Sequence, residues 1–292
     1  MPKTKLETIK KLTRNWGLSQ PIFSPRKGEQ LKELMNILSV YILPSQSFWR
    51  AIELHNLKKL IDRFSDHPIL DVGCGEGIFS SLLFDNIDDG IDINVKSVKK
   101  CQSDFKNTYK RVHLMDARSL KFADSTFSTV FSNCVIEHIV DIYKVLSECY
   151  RVLKPGGILI ATVPLKEMNK HLLFSGSWYI ELRRRQLSHI NLLSKEEWLS
   201  LLSDVGFERI EFYQYLSGKE CYFWDMIDAP ICLGYGRYTI SAALRLIWSM
   251  LPSFIKKIYL KFMALFLLNK ININTDGDYC ATIIIAWKGG KS

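Results

Sequence analysis

Ile69-Leu70-Asp71-Val72-Gly73-Cys74-Gly75-Glu76-Gly77-Ile78-Phe79 carries three closely spaced glycines behind a short apolar run. Ile69, Leu70 and Val72 read as the end of a buried strand and Gly73, Gly75 and Gly77 as a turn. Glu76 to Asn86 reads as a helix with Ile78, Leu82 and Leu83 facing inward. Glycine at alternate positions lets the main chain adopt conformations closed to other residues, and lets a ligand lie directly against it. Strand, glycine turn and helix in succession make the nucleotide-binding corner of a doubly wound α/β sheet. The dinucleotide fingerprint is Gly-x-Gly-x-x-Gly. Here the pattern is Asp71-x-Gly73-x-Gly75-x-Gly77, one residue shorter and led by an acid. A carboxylate there disfavours a pyrophosphate and favours a ligand carrying an ammonium or sulfonium, which speaks against a nicotinamide oxidoreductase.

This pattern resembles motif I of the class I S-adenosylmethionine (SAM) dependent methyltransferases, the alternative being a purely structural turn. Gly90-Ile91-Asp92-Ile93 reads as the second strand, with Asn94 capping helix 95–105, and an acid at that strand tip can accept both ribose hydroxyls. Asp92, with Ile93 beside it, is therefore the ribose candidate, and Asp88 and Asp89 read as solvated loop acids. Strand three, Arg111 to Met115, leads to Asp116, placed to receive the adenine amino group with Met115 and Ala117 flanking the ring; the alternative for Asp116 is an ordinary loop acid. Phe122 and Phe127 pin the loop 119–127. Strand four, Ser128 to Asn133, runs into Cys134-Val135-Ile136-Glu137-His138. Helix 141–153 follows, ended by Lys154-Pro155-Gly156-Gly157 before strand five, Ile158 to Val163.

Asp116-Ala117, Ser132 to His138 and Tyr150-Arg151-Val152-Leu153-Lys154-Pro155-Gly156-Gly157 occur in the order and spacing of the methyltransferase type-11 family, which the chain resembles over about residues 67–165. The resemblance implies a Rossmann-like, seven-stranded sheet with the last strand antiparallel. Phe207–Leu216 and Tyr279–Trp287 complete it, and a helix 195–204 opens on a Ser194-x-x-Glu197 capping box. It further implies SAM as cofactor and S-adenosylhomocysteine as product. Gly73, Cys74, Gly75 and Gly77 then pass beneath the amino-acid part of SAM, Asp71 meets its ammonium directly or through water, and Asn133 borders its methionyl end.

Three parts are expected: a basic tail and helical lid over 1–66, a SAM-binding core over 67–217 completed by strand 279–288, and an apolar, basic helical insertion over 218–278. In the lid, Leu31, Leu34, Ile37 and Leu38 recur at helical spacing up to Pro44. Ser45 or Ser47 is then the cap of a second helix, 47–63. Arg50 there is a candidate for the SAM carboxylate, against a surface ion pair with Glu53. His138 is the candidate base, with Glu137 beside it, against a capping or packing role for both, and His189 is a second, substrate-side candidate. Ubiquinone-type O-methyltransferases have a similar Glu-His after strand four that takes part in a metal site. Their supporting acids are not evident here, and no metal is expected. Arg183-Arg184-Arg185 reads as a solvated helix face or a substrate-phosphate site.

Composition bounds the rest. An apolar fraction of 47% with 24% charged residues in 292 suits one sizeable α/β domain with an insertion. Seven cysteines without a Cys-x-x-Cys argue against a disulfide framework or zinc ribbon, and for a reducing, cytoplasmic compartment. Met-Pro-Lys-Thr-Lys lacks an apolar run behind it, so no signal peptide is expected. The net charge of +9 is uneven, with seven Lys or Arg against one Glu in residues 1–27 and no acid in residues 237–270. That balance suits an anionic membrane surface, an acidic substrate or a solvated face. No recognition motif accompanies it, and nucleic acid is not expected. Segment 254–268 gathers Phe254, Ile255, Ile258, Tyr259, Phe262, Leu265 and Phe266 on one arc with Lys256, Lys257 and Lys261 opposite. It reads as a membrane-interface helix, a cleft cover, a dimer face or a packed subdomain. The expected activity is methyl transfer to a small-molecule or lipid-linked acceptor, at oxygen. The alternatives are a sugar or polysaccharide-precursor methyltransferase, or a non-catalytic SAM-binding partner subunit.

Overall fold

Short apolar runs become strands, and runs with a 3.6-residue period become the helices that cover them. The computed structural model describes residues 27–41, 43–235, 238–268 and 278–290. The expectations for residues 1–26 lie outside these. The strands are β1 (Ile69–Val72), β2 (Ile87–Asp92), β3 (Tyr109–Leu114), β4 (Phe127–Asn133), β5 (Leu153–Pro164) and β6 (Phe207–Ser217), then β7 (Gly234–Tyr235), β8 (Tyr238–Thr239) and β9 (Tyr279–Lys288). All but the small β7-β8 ladder form one sheet in the order β3-β2-β1-β4-β5-β9-β6. Neighbours from β3 to β5 pair in parallel, and β9 runs antiparallel to both β5 and β6. The strand order reverses between β1 and β4, which places the ligand crevice at their carboxyl ends. The expected seven-stranded, doubly wound sheet is present.

Alternate strand residues feed two cores. Ile69, Ile160, Ile283 and Ile285 face one cluster; Leu70, Leu159 and Ile284 face the other. The first is covered by α1 (Lys27–Val40), α2 (Pro44–Phe64), α3 (Val95–Asp104), and, beyond β6, α7 (Gly218–Ile231) and α9 (Ser253–Leu268). The second is covered by α4 (Ile142–Val152) and α6 (Lys195–Val205). Two further helices, α5 (Ser177–Gln186) and α8 (Ile240–Met250), lie in the connections. Asn94 caps α3 with two backbone amides, and Ser194 and Glu197 make the expected capping box on α6. A second box, Ser217 with Glu220, opens α7.

Four local expectations are corrected. Residues 76–86 do not form an α-helix, holding only a short 3₁₀ turn at Ser80–Leu82. β2 begins at Ile87 rather than Gly90, and the few residues left after the turn bury Phe79 and Phe84, with Leu82 and Leu83 packed half-buried against the same core. Asp88 and Asp89 are accordingly buried strand residues. Asp88 bonds Lys110, His67 and the Ile69 amide, and Asp89 takes a bidentate contact from Arg111 with His113 alongside. Helix α2 starts at Pro44, whose missing N–H suits a first helical position. Ser45 and Ser47 are buried inside the helix rather than capping it, and the Ser47 hydroxyl donates to the Tyr41 carbonyl. In the arginine run, Arg183 is buried between Asp225 and Asp228 at 2.7 and 2.6 Å, tying α5 to α7, while Arg184 and Arg185 pair with Glu181.

Candidate functional site

The glycine turn closes over the end of β1 because the Gly73 and Cys74 amides both donate to the Ile91 carbonyl, at 2.8 and 2.9 Å. Its three glycines have positive φ, but they do different things. A Cβ on Gly73 would lie 2.5 Å from Val135, and one on Gly77 would lie 2.7 Å from Cys101 Sγ, so both allow close packing of the protein against itself. A Cβ on Gly75 meets nothing within 4 Å. Gly75 is therefore the glycine whose bare backbone faces open space, and its amide donates to Asp92 Oδ2 at 2.9 Å. Asp92 stands half-buried at the tip of β2, its other oxygen accepting from the Asn94 amide at 2.7 Å. A carboxylate has about four lone-pair sites, which leaves two for a ribose diol. An open glycine backbone beside a strand-tip carboxylate fits SAM.

Asp71 does not present its carboxylate at the mouth of the turn. It is 1% exposed and accepts from the Tyr109 hydroxyl at 2.5 Å. Burial pushes its pKa up to about 6, against the bonds from Tyr109 and Ser80. It braces the turn from beneath, so direct contact with a ligand ammonium is not what the structure offers. Across the crevice Asp116 is pinned by Arg118, whose guanidinium and amide hold the carboxyl below its usual range. Ala117 is buried, Met115 Sδ accepts from the Lys121 amide at 3.3 Å, and Ile93 is largely exposed.

At the tips of β4 and β5 a buried polar cluster joins α2 to the sheet. Glu53, fully buried on α2, takes Arg50 Nη1 at 2.5 Å on one oxygen. Its other oxygen takes Asn133 Nδ2 at 2.8 Å, the Tyr215 hydroxyl at 2.9 Å and Cys134 Sγ at 3.3 Å. Arg50 also donates to Asn133 Oδ1 at 2.7 Å and lies over the Phe79 ring at 4.9 Å. The expected surface ion pair is thus an interior one, and it brings Arg50 to Asn133 at the end expected to hold the methionyl group. Asn133 further donates to Thr162 Oγ1 at 2.6 Å.

Cys134 turns the chain with a φ of +49° and delivers Glu137 and His138 to the same rim. His138 Nδ1 lies 2.9 Å from the Ser188 carbonyl, so it carries the proton there and leaves Nε2 as the acceptor. Nε2 is 3.7 Å from Glu137 Oε1. Burial raises Glu137 to about 8, and its Oε2 has no hydrogen-bond partner. The His189 ring stands 5.5 Å from that of His138, and burial lowers its pKa to about 4, with His138 adding to the effect. Each of the three side chains offers a ligand atom within 4.8 Å of the others, a grouping able to hold a metal ion, although no metal was expected. Sequence reasoning named all three but did not join His189 to the pair; the Ile190 and Asn191 amides do so by bonding the Glu137 carbonyl. Thr162, Tyr215 and Tyr109 were missed. Glu53 had a signal: an acid among the core-facing Phe48, Ala51, Ile52, Leu54 and Leu57 of one helix.

Residues 70–161 match the family model described as "Methyltransferase domain". A protein of Mycolicibacterium smegmatis named "Probable S-adenosylmethionine-dependent methyltransferase" is 28% identical over 172 residues, 57% of this chain and 62% of the relative. The mitochondrial ubiquinone biosynthesis O-methyltransferase of Bos taurus is 28% identical over 171 residues, 55% of this chain and 43% of the relative. The chain thus spans less than two thirds of the length of these relatives. The crystal structure of a SAM-dependent methyltransferase from Thermotoga maritima aligns with a TM-score of 0.54 at 18% identity, covering 90% of this chain and all of that one, a likeness of fold. With the sheet order, the open glycine turn and these matches together, residues 70–161 are a methyltransferase domain of the class I S-adenosylmethionine-dependent kind.

Proposed function

We propose that this protein transfers the SAM methyl group to an oxygen of a small-molecule or lipid-linked acceptor. Bound SAM supplies an activated methyl whose sulfonium charge is lost on transfer, so the protein has chiefly to position the acceptor and exclude water. Gly75 and Asp92 would seat the nucleoside, Asp116 with Met115 and Ala117 the adenine, and Arg50 and Asn133 the methionyl end. The observation that carries oxygen as the acceptor is His138: its Nδ1–H is tied to the Ser188 carbonyl, and its Nε2 lone pair is left to take a hydroxyl proton. A proton gained there creates a cation 3.7 Å from Glu137, whose carboxyl dipole stabilises it until the partly exposed His138 returns the proton to solvent.

His138→Gln should lower turnover on a responsive hydroxyl acceptor by about 100-fold or more, the usual scale of general-base catalysis. SAM affinity by calorimetry should stay near that of the wild type. Unchanged turnover removes His138 from the mechanism. SAM binding without turnover on any hydroxyl acceptor, in a panel that includes lipid extracts, favours the non-catalytic partner reading.

A further inference from the structure

Helices α8 and α9 turn their widest apolar arc away from the protein. Leu246, Ile247 and Met250 on α8 are 65, 54 and 77% exposed, and Phe254, Ile258 and Phe262 on α9 are 62, 65 and 66% exposed. At about 100° per residue, the three on α9 share an arc of roughly 80°. The opposite side of α9 is the packed one: Ala264 and Leu267 are buried with Leu34, Ile37 and Leu38 of α1. The Trp248 and Tyr259 rings meet edge to face at 5.2 Å, holding the two helices together. A helix covering a soluble core shows the reverse arrangement, with its broad apolar stripe inward.

We infer that this pair of helices docks on a lipid bilayer that carries anionic headgroups. Arg245, Lys256, Lys257 and Lys261 lie on these helices, and residues 237–270 contain no acid. By the same angular count Lys257 and Lys261 lie on the other side of the arc's Phe254 edge but within about 60° of it, so their stems can lie along the arc while the ammonium groups reach lipid phosphates. The 16 residues of α9 extend about 24 Å, short of the roughly 30 Å hydrocarbon core. Among the described residues no helix is long and apolar enough to cross a membrane, so these helices lie in the interface. A second copy of the chain is a poorer occupant. An isologous contact would bring like charges together, and lysine is depleted from the cores of protein interfaces. The inference holds whatever the acceptor, but the placement is useful for a lipid-linked one: α9 rests on α1, and α7 rests on α2, which carries Arg50 and Glu53.

The test is flotation of the full chain with vesicles of phosphatidylcholine alone or mixed with phosphatidylserine. The wild type should float with the mixed vesicles and not with the neutral ones. Lys257→Gln with Lys261→Gln should weaken partitioning on the order of 10-fold, and raised salt should do the same. Phe254→Ser, Ile258→Ser and Phe262→Ser together should weaken it on the order of 100-fold. Both variants should keep wild-type thermal unfolding and SAM binding, because the altered side chains are exposed and remote from the glycine turn. A wild type that stays off anionic vesicles, or a triple-serine variant that floats equally well, overturns the inference. So does a dimer in light scattering that the serines dissolve while no vesicle binding occurs, an outcome that assigns the face to a second copy.

Discussion

Replacing Glu53 by alanine removes an acceptor that four side chains share. Arg50 Nη1 lies 2.5 Å from one carboxylate oxygen, and Asn133, Tyr215 and Cys134 lie 2.8, 2.9 and 3.3 Å from the other. Glu53 is fully buried, so water cannot take its place without rearrangement. Removing one partner of a buried ion pair costs about 3–5 kcal/mol, and an unsatisfied hydroxyl such as that of Tyr215 about 1–3 kcal/mol more. The Arg50 side chain is 25% exposed and keeps its bond to Asn133 Oδ1, which reduces the first figure. A net loss of about 3–5 kcal/mol follows, and at about 2–4 °C per kcal/mol the Tm should fall by roughly 6–20 °C. Glu53→Gln keeps an acceptor oxygen and the volume, and should cost about 1–3 kcal/mol. Replacing both partners, Arg50→Met with Glu53→Leu, should recover much of the alanine loss because no charge is left orphaned. Thermal unfolding of the four proteins at neutral pH reads these values. An alanine variant within about 1 kcal/mol of wild type, below any of these costs, would refute the reasoning. A double variant as unstable as the alanine one would assign the loss to packing rather than charge.

Gly73 and Gly75 should separate in their effects. Gly75→Val should fold with a strain cost of about 1–2 kcal/mol and lose SAM affinity by calorimetry, whereas Gly73→Ala should lower stability more through its clash with Val135; equal SAM binding by Gly75→Val and wild type would sink the cradle assignment. Asp92→Asn should weaken SAM binding about 10–100-fold through the loss of charged hydrogen bonds to the ribose, and unchanged affinity in a titration would remove it as the ribose residue. Asp71 gives a pH signature, because burial holds its carboxyl at about 6 against an ordinary 3.8. The unfolded chain releases that proton first as pH rises, so the wild type should lose about 3 kcal/mol between roughly pH 3 and pH 7 relative to Asp71→Asn. Denaturant curves showing a constant gap between the two proteins across that range would contradict the burial.

The Asp71-to-Gly77 stretch, the acid at the tip of β2 and the Asn133-to-His138 strand end were legible without a structure, because strand tips and tight turns are local features with characteristic spacing. The same locality made Asn94 and the Ser194 and Glu197 box readable as caps. What happened after the turn was not legible: Ile87, Asp88 and Asp89 join β2 because Lys110, Arg111, His67 and His113 come from elsewhere in the chain to pair with the acids. Nor did the spacing of Arg50 and Glu53, one turn apart, say whether they faced water; Tyr215, 162 residues away from Glu53, helps make the pair an interior one. In α9 the residue order already makes one arc apolar, but that this arc faces out follows from α1 packing on the other side. Periodicity fixes which residues share a face, but which face is buried depends on the neighbours that long-range packing supplies.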